Sequence, residues 1–409
     1  MAKVLPFAAV MPPANQAKQV ADPPYDVVNR EEAAALAASN PLGFMRVARA
    51  EIELPDEIGS YDDAVYAKAK ENYARLCREV PLVADSRPSY YVYSLVRNGH
   101  RQTGIVAAAS VDDYDAEIIK KHEKTRPSKE DDRTRHILTL RSQTGPVFLA
   151  CRATDEIDQL VADTMAGTPV FDFTADDGVQ HTGWRVAEAS TAALQAAFAT
   201  VPCLYIADGH HRAASASRAR AALREANPDH TGSEEYNSFL TVIFPASQLQ
   251  ILPYNRVVFS LNGRTPEQVR TKIAAGFDVP PADSPTPDQA GVVHMYLEKK
   301  WWRLAYRGDI SALSPVDCLD VSLLQTHVLT PVLGIDDPRT STGIDFVGGI
   351  RGTAELEKRV DSGEAAVAFA MFPTTLDQLM AISDAGEIMP PKSTWFEPKL
   401  RDGLFSHDI

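Results

Sequence analysis

Tyr66, Ala69, Tyr73 and Leu76 recur at helical spacing, so one apolar stripe runs along residues 61–82 and predicts a helix. A helix is also predicted just before it. Asn29 can cap, Glu31 and Glu32 suit a first turn, and Asn40-Pro41 closes the run. Ser89 to Val96 is rich in β-branched and aromatic residues and reads as a strand. Asn98-Gly99 is a hairpin signal, with Arg101 to Ala109 returning. The pattern then predicts a charged helix over Tyr114 to Asp132 and a helix over Glu188 to Thr200. Strands are predicted over Pro146 to Cys151, Gly183 to Val186 and Ser238 to Pro245. Further on come a helix at Thr265 to Gly276 and a hairpin of Val292 to Glu298 with Trp301 to Tyr306, turning at Lys299-Lys300. A helix at Leu319 to Val332 and a strand at Ala365 to Phe372 complete the series. Strands and helices mix without regular alternation, which is the pattern of an α+β fold rather than a doubly wound sheet.

One junction in this pattern carries more chemistry than the rest. The apolar run Val201 to Ile206 leads into Ala207-Asp208-Gly209-His210-His211-Arg212, and an Ala-rich helical segment starts there, ending before Asn227-Pro228. A helix start offers free backbone N–H groups and the positive end of the peptide dipoles, which favours an anion. Two imidazoles and a guanidinium on the same turn point to a phosphate. The bland alternative is an Asp-Gly turn that merely caps the helix. Zinc is the weaker reading, because neighbouring helical side chains diverge and no Cys or further His lies at ligand spacing.

The chain has 409 residues, more than one core usually holds. The expected division is an α+β domain over residues 1–259, an appended α+β domain over 260–375, and a segment over 376–409 that returns to the active site. Hydrophobic content of 44% and charged content of 23% are ordinary for a soluble protein. A formal charge of −14 argues against general binding to duplex DNA, which rests on Lys and Arg neutralising phosphates. Cys77, Cys151, Cys203 and Cys318 are scattered and read as reduced thiols, so the expected location is cytoplasmic. No window is apolar for long enough to span a membrane, and Pro6, Pro12 and Pro13 break any signal-like start.

Other runs carry candidate chemistry. His122-Glu123-Lys124-Thr125-Arg126 precedes Pro127 and gathers a base, an acid, a hydroxyl and cations. A solvated helix face is the plain alternative. Met389 to Leu400 is proline-stiffened and carries Lys392 and Lys399, with Trp395 and Phe396 as anchors. Lys392 would act as a phosphate-binding point charge. Tyr25-Asp26 follows two prolines, and Arg256 follows Tyr254-Asn255. There is no Walker loop, no Gly-x-Ser-x-Gly and no Gly-x-Gly-x-x-Gly.

Taken together, Pro23-Pro24-Tyr25-Asp26-Val27, His122-Glu123-x-Thr125, Asp208 to Arg212, and Met389-Pro-Pro-Lys392 through Lys399 resemble, in this order, a widespread prokaryotic family. It carries the name domain of unknown function 1015. The Asp-Gly-His-His-Arg run is also similar to that of free-serine kinases on the ParB/sulfiredoxin-like scaffold. The resemblance implies a ParB/sulfiredoxin-like core and a kinase that makes O-phospho-L-serine from free L-serine with pyrophosphate or a nucleotide. It implies Gly209, His210, His211, Arg212, Arg256, Lys392 and Lys399 at phosphates, and Tyr25, Asp26 and Thr125 at the substrate. His122, Glu123, Asp208 and His211 would be catalytic, and Glu123 with Asp208 would hold Mg²⁺. Many relatives are expected to carry His before the Arg at Tyr254-Asn255-Arg256, where this chain has Asn255. The partners implied are small molecules, with no nucleic acid or membrane, and a homodimer is compatible. Two competing functions are a phosphate- or nucleotide-sensing module without turnover, and a metal-dependent phosphohydrolase.

Overall fold

The computed structural model describes residues 1–152 and 154–409. The chain divides into two units: residues 1–249 with 398–409, and residues 250–397. Both mix helices with sheets, so the fold is α+β.

The first unit is organised by a mixed sheet. Its strands run in the order 119–120, 204–208, 147–151, 238–245, 100–110, 91–97, 180–185 and 171–174, and residues 4–5 pair onto 100–110. Two pairings are parallel, 204–208 with 119–120 and 238–245 with 147–151. The hairpin forms where the sequence places it: Asn98 and Gly99 take φ of 50° and 80°, and Arg97 pairs with His100. Left-handed conformations at both positions match the strand twist. The core of the unit includes Val92, Ile105, Leu149, Leu204 and Ile206 from the sheet. Ala213 and Ala216 from the following helix pack on it, which is why that helix is Ala-rich: small side chains let its backbone approach the sheet. Each large aliphatic side chain taken from water contributes about 1.5–3 kcal/mol.

Helix Arg30–Ser39 is closed by a capping box between Asn29 and Glu32, and helix Asp63–Glu79 buries Val65, Ala69 and Leu76 in a second cluster. The expected charged helix over 114–132 does not form as one element. A short helix, Val111–Asp115, ends at Glu117 (φ 56°), strand Ile119–Lys120 follows, and a new helix, Pro127–Leu140, starts with proline in its first turn. Charge spacing alone does not reveal this. Proline fixes a helix start, and its ring disfavours helical geometry in the residue before it.

The second unit holds an antiparallel sheet in the order 277–278, 300–306, 292–297, 367–370, 254–258 and 344–348. Val257, Tyr296, Val347, Leu356 and Ala368 form its core cluster. Its hairpin turns at Glu298-Lys299 (φ 53° and 59°), one residue earlier than expected. The segment expected as a helix over 319–332 is helical over Asp320–Leu324 and continues as a wider π-turn over Gln325–Leu329. The division between units falls earlier than residue 259 because strand Tyr254–Val258 lies inside this sheet. It falls later than residue 375 because Trp395–Glu397 pairs with Gln250–Leu252. Among the described residues, no helix is long and apolar enough to cross a membrane.

Candidate functional site

Strand Leu204–Asp208 ends in Gly209, and helix His210–Glu225 begins at once. Gly209 has φ of 93°, where a side chain is strained, and a Cβ there would lie 2.9 Å from Arg212 Nε. Glycine is thus required both by the turn and by the guanidinium folded against it. That guanidinium is buried and donates to the Pro146 carbonyl. The first N–H groups of the helix have no partner within it.

Asp208 is gripped from several sides. Its Oδ1 accepts from the Gly209 N–H at 2.8 Å, and its Oδ2 accepts from Lys399 Nζ at 2.8 Å. Arg212 Nη2 stands 3.9 Å from Oδ1. Burial by itself would raise the Asp208 pKa, but Lys399 and then Arg212 outweigh it and hold the carboxylate well below its usual range. An ion so firmly paired is a poor proton acceptor near neutral pH.

The 122–123 pair arrives through the short strand Ile119–Lys120, whose Ile119 and Lys120 pair with Leu204 and Tyr205. The His122 and His210 rings meet edge to face, 4.4 Å between centroids. His122 hydrogen-bonds the Ile206 carbonyl, and its buried Nδ1 has no partner. Burial pushes the His122 pKa down to about 4, and burial together with neighbouring His122 takes His210 well below its normal value. Both rings are therefore neutral at pH 7. Glu123 is half exposed, with Oε2 at 3.9 Å from His210 Nδ1. His211 Nε2 accepts the Arg126 N–H at 3.0 Å, which puts the ring proton on Nδ1, and burial lowers its pKa as well.

His122, Glu123 and His210 each offer a ligand atom within 4.8 Å of the others. This differs from the expected Glu123–Asp208 pair, because both Asp208 oxygens are already engaged. Mg²⁺ takes a shell of oxygens. Two imidazoles and one carboxylate do not fit it.

The other expected site residues are divided between the two units. Tyr25 and Asp26 lie in the first unit; the buried Tyr25 ring stacks under Arg133, whose Cζ is 4.2 Å from the centroid. Asp26 acts electrostatically on both His211 and Arg212. Thr125 donates its hydroxyl to Glu130 at the start of helix Pro127–Leu140. Arg256 and Lys392 belong to the second unit. There the Arg256 guanidinium donates to the Tyr254 carbonyl and, at 3.1 Å, to the Lys392 carbonyl. Lys392 has φ of 57°, and its Nζ sits 5.2 Å from the Tyr254 ring centroid. Asn255 accepts the Met371 N–H at 3.0 Å, a backbone-holding role.

Asp402 belongs to no motif that the sequence offers. It is buried beside Arg212, Asp26 and Arg133, and its strand-like bridge to Asp22 brings a second buried carboxylate close. Its only sequence signal is its position three residues after Lys399.

The family model described as a protein of unknown function, DUF1015, matches residues 4–322, and the chain belongs to that family. Among curated proteins, none matches the sequence. Solved structures with a similar course include a conserved hypothetical protein from Pyrococcus furiosus at 15% identity, covering 75% of this chain and 94% of that one, with a TM-score of 0.35. A point mutant of a free serine kinase in complex with AMP aligns at 12% identity over 75% of this chain and 91% of its own, TM-score 0.37. C-terminally truncated SbnI from Staphylococcus aureus aligns at 13% identity over 73% and 85%, TM-score 0.39. Scores of this size carry no functional weight, so the residues must.

Proposed function

We propose that this chain is a phosphotransferase that transfers a phosphoryl group from pyrophosphate to the hydroxyl of free L-serine. The observation that carries the reading is the cluster around Gly209. A helix start, the buried Arg212 guanidinium and the Lys399 ammonium converge there, beside a half-exposed carboxylate. Phosphoryl transfer asks a protein mainly for positioning and for charge neutralisation, which amides and fixed cations supply.

Each residue then has a distinct task. The helix-start amides and Arg212 receive the donor's oxyanions. Lys399, held by Asp208, keeps a positive charge next to the leaving orthophosphate. Glu123 accepts the serine hydroxyl proton; it is preferred over Asp208, whose oxygens are occupied, and over His122, which is buried and hard to protonate. The serine Oγ–P bond forms as the bridging P–O bond of pyrophosphate breaks. His211 orients Arg126 and the loop above the helix start. The acceptor and donor come from the resemblance of the 208–212 run to free-serine kinases, supported by the absence of a nucleotide-binding glycine loop.

The test incubates purified protein with L-serine and either pyrophosphate or ATP, with Mg²⁺ and again with chelator, and reads phosphoserine by mass spectrometry. Pyrophosphate-dependent product is expected. No product with either donor, while a known serine kinase succeeds in parallel, overturns the reading. Donor consumption without serine would favour the phosphohydrolase, and ligand-induced stabilisation without turnover the sensing module.

A further inference from the structure

A cavity of about 40 Å³ lies in the first unit, with Tyr25, Arg133, Thr144, Gly145, Arg212 and Asp402 in its wall. Two of these residues carry a buried polar atom with no hydrogen-bond partner: Arg212 Nε, a donor, and Asp402 Oδ1, an acceptor. Arg212 is 8% exposed and Asp402 3%. Gly145 keeps the space between them free, since a Cβ there would sit 3.1 Å from Asp402 Oδ1 and 3.4 Å from Arg212 Cδ. A buried polar atom without a partner forfeits its hydration with nothing in return, and a charged group loses more. An unmet donor and an unmet acceptor in one cavity therefore call for a ligand that is both acceptor and donor.

We propose that this cavity binds the zwitterionic head of a small α-amino acid, its ammonium donating to Asp402 and its carboxylate accepting from Arg212. The proposal rests on the phosphotransferase reading and assigns its acceptor pocket. Arg212 links the two parts, because the same side chain packs against Gly209 at the helix start. The cavity's size also selects. One water needs about 10–15 Å³ on this measure, so the space suits a head group of a few heavy atoms and excludes a nucleobase. Burial pushes the Asp402 carboxyl up to about 7 despite Arg212, and an ammonium partner would reverse that. The alternative is that ordered water alone satisfies both atoms.

Calorimetry on the full chain without any phosphoryl donor compares L-serine with glycerate, which keeps the hydroxyl and carboxylate but lacks the amine. Serine is expected to bind at least tenfold more tightly. In Asp402→Asn that preference collapses, and where turnover is measurable the KM for serine rises more than tenfold with a smaller effect on kcat. Gly145→Ala, which leaves both charges in place, weakens serine binding similarly. Binding of neither compound, or an unchanged preference in both variants, overturns the pocket. Serine binding without phosphoserine formation leaves the pocket standing and removes the kinase reading. Turnover with unaltered KM in both variants does the opposite.

Discussion

Replacing Gly209 by alanine isolates the feature on which the site depends. The variant adds one methyl and changes no charge. Alanine at φ of 93° costs about 1–2 kcal/mol from backbone strain. The new Cβ would also stand 2.9 Å from Arg212 Nε and 3.1 Å from Cζ. A free arginine tip would swing away at little cost, but this one is buried and tied to the Pro146 carbonyl. Adding a similar amount for this crowding gives a total of about 2–4 kcal/mol, or a fall in Tm of roughly 5–15 °C for a unit of this size. Gly99→Ala provides the control: its φ is 80°, yet nothing lies within 4 Å of the Cβ, so it carries the strain alone. Paired thermal melts and phosphoserine assays decide the matter. Gly209→Ala should lose more than tenfold in turnover and melt below Gly99→Ala, which should keep wild-type turnover. Equal melting of the two variants, with turnover intact in both, would refute the claim that Arg212 is seated on this turn.

Other outcomes follow from the same geometry. Arg212→Ala removes a cation shared by Asp26, Asp208 and Asp402, leaving Lys399 on Asp208 and Arg133 near Asp402, and should cost up to about 3 kcal/mol in urea unfolding as well as activity. His211→Ala removes only the acceptor of the Arg126 N–H, so its turnover should fall more than tenfold while its stability drops by about 1 kcal/mol in the same melts. Lys399→Met should abolish most turnover, and Lys399→Arg should restore part of it. The pH dependence of stability has a defined sign. Asp402 rises from 3.8 to about 7 on folding, so its protonated form is favoured in the native state. Its contribution is complete below pH 3.8, shrinks as pH rises, and is gone above about 7, a range worth roughly 4 kcal/mol. Asp22, raised to about 6 by burial, slopes the same way; Arg212 and Arg133 oppose the rise at Asp402, and the Met45 N–H and Arg401 oppose that at Asp22. Melting of Asp402→Asn between pH 4 and 7 should be flatter than that of the wild type; an identical slope would count against a buried, titrating Asp402.

Much of this architecture is legible locally. The Asn29 cap, the Asn98-Gly99 hairpin and the strand-to-helix junction at Asp208 are written in consecutive residues, because caps and tight turns are satisfied by near neighbours. The segment from 114 to 132 is different. Its charges suit a helix, but Ile119 and Lys120 gain more by pairing with Leu204 and Tyr205, far along the chain. That long-range pairing is what sets His122 beside His210, and no local pattern announces it. Asp402 is the extreme case, since its significance comes wholly from what surrounds it in space. The sequence singles out Lys392 as the phosphate-binding charge, yet it is Lys399 that pairs with Asp208, while Lys392 belongs to the second unit.

The return of residues 398–409 to the first unit makes the assembly of this protein a matter of sequence order. The sheet that ends at Asp208 is synthesised long before its ammonium partner, with 148 residues of another unit in between. Until that detour is complete, the carboxylate at the strand end faces Arg212 alone. A nascent chain arrested at residue 397 would own both sheets and still lack Lys399 and Asp402. Under the proposed function, turnover therefore needs side chains that are synthesised only after the second unit.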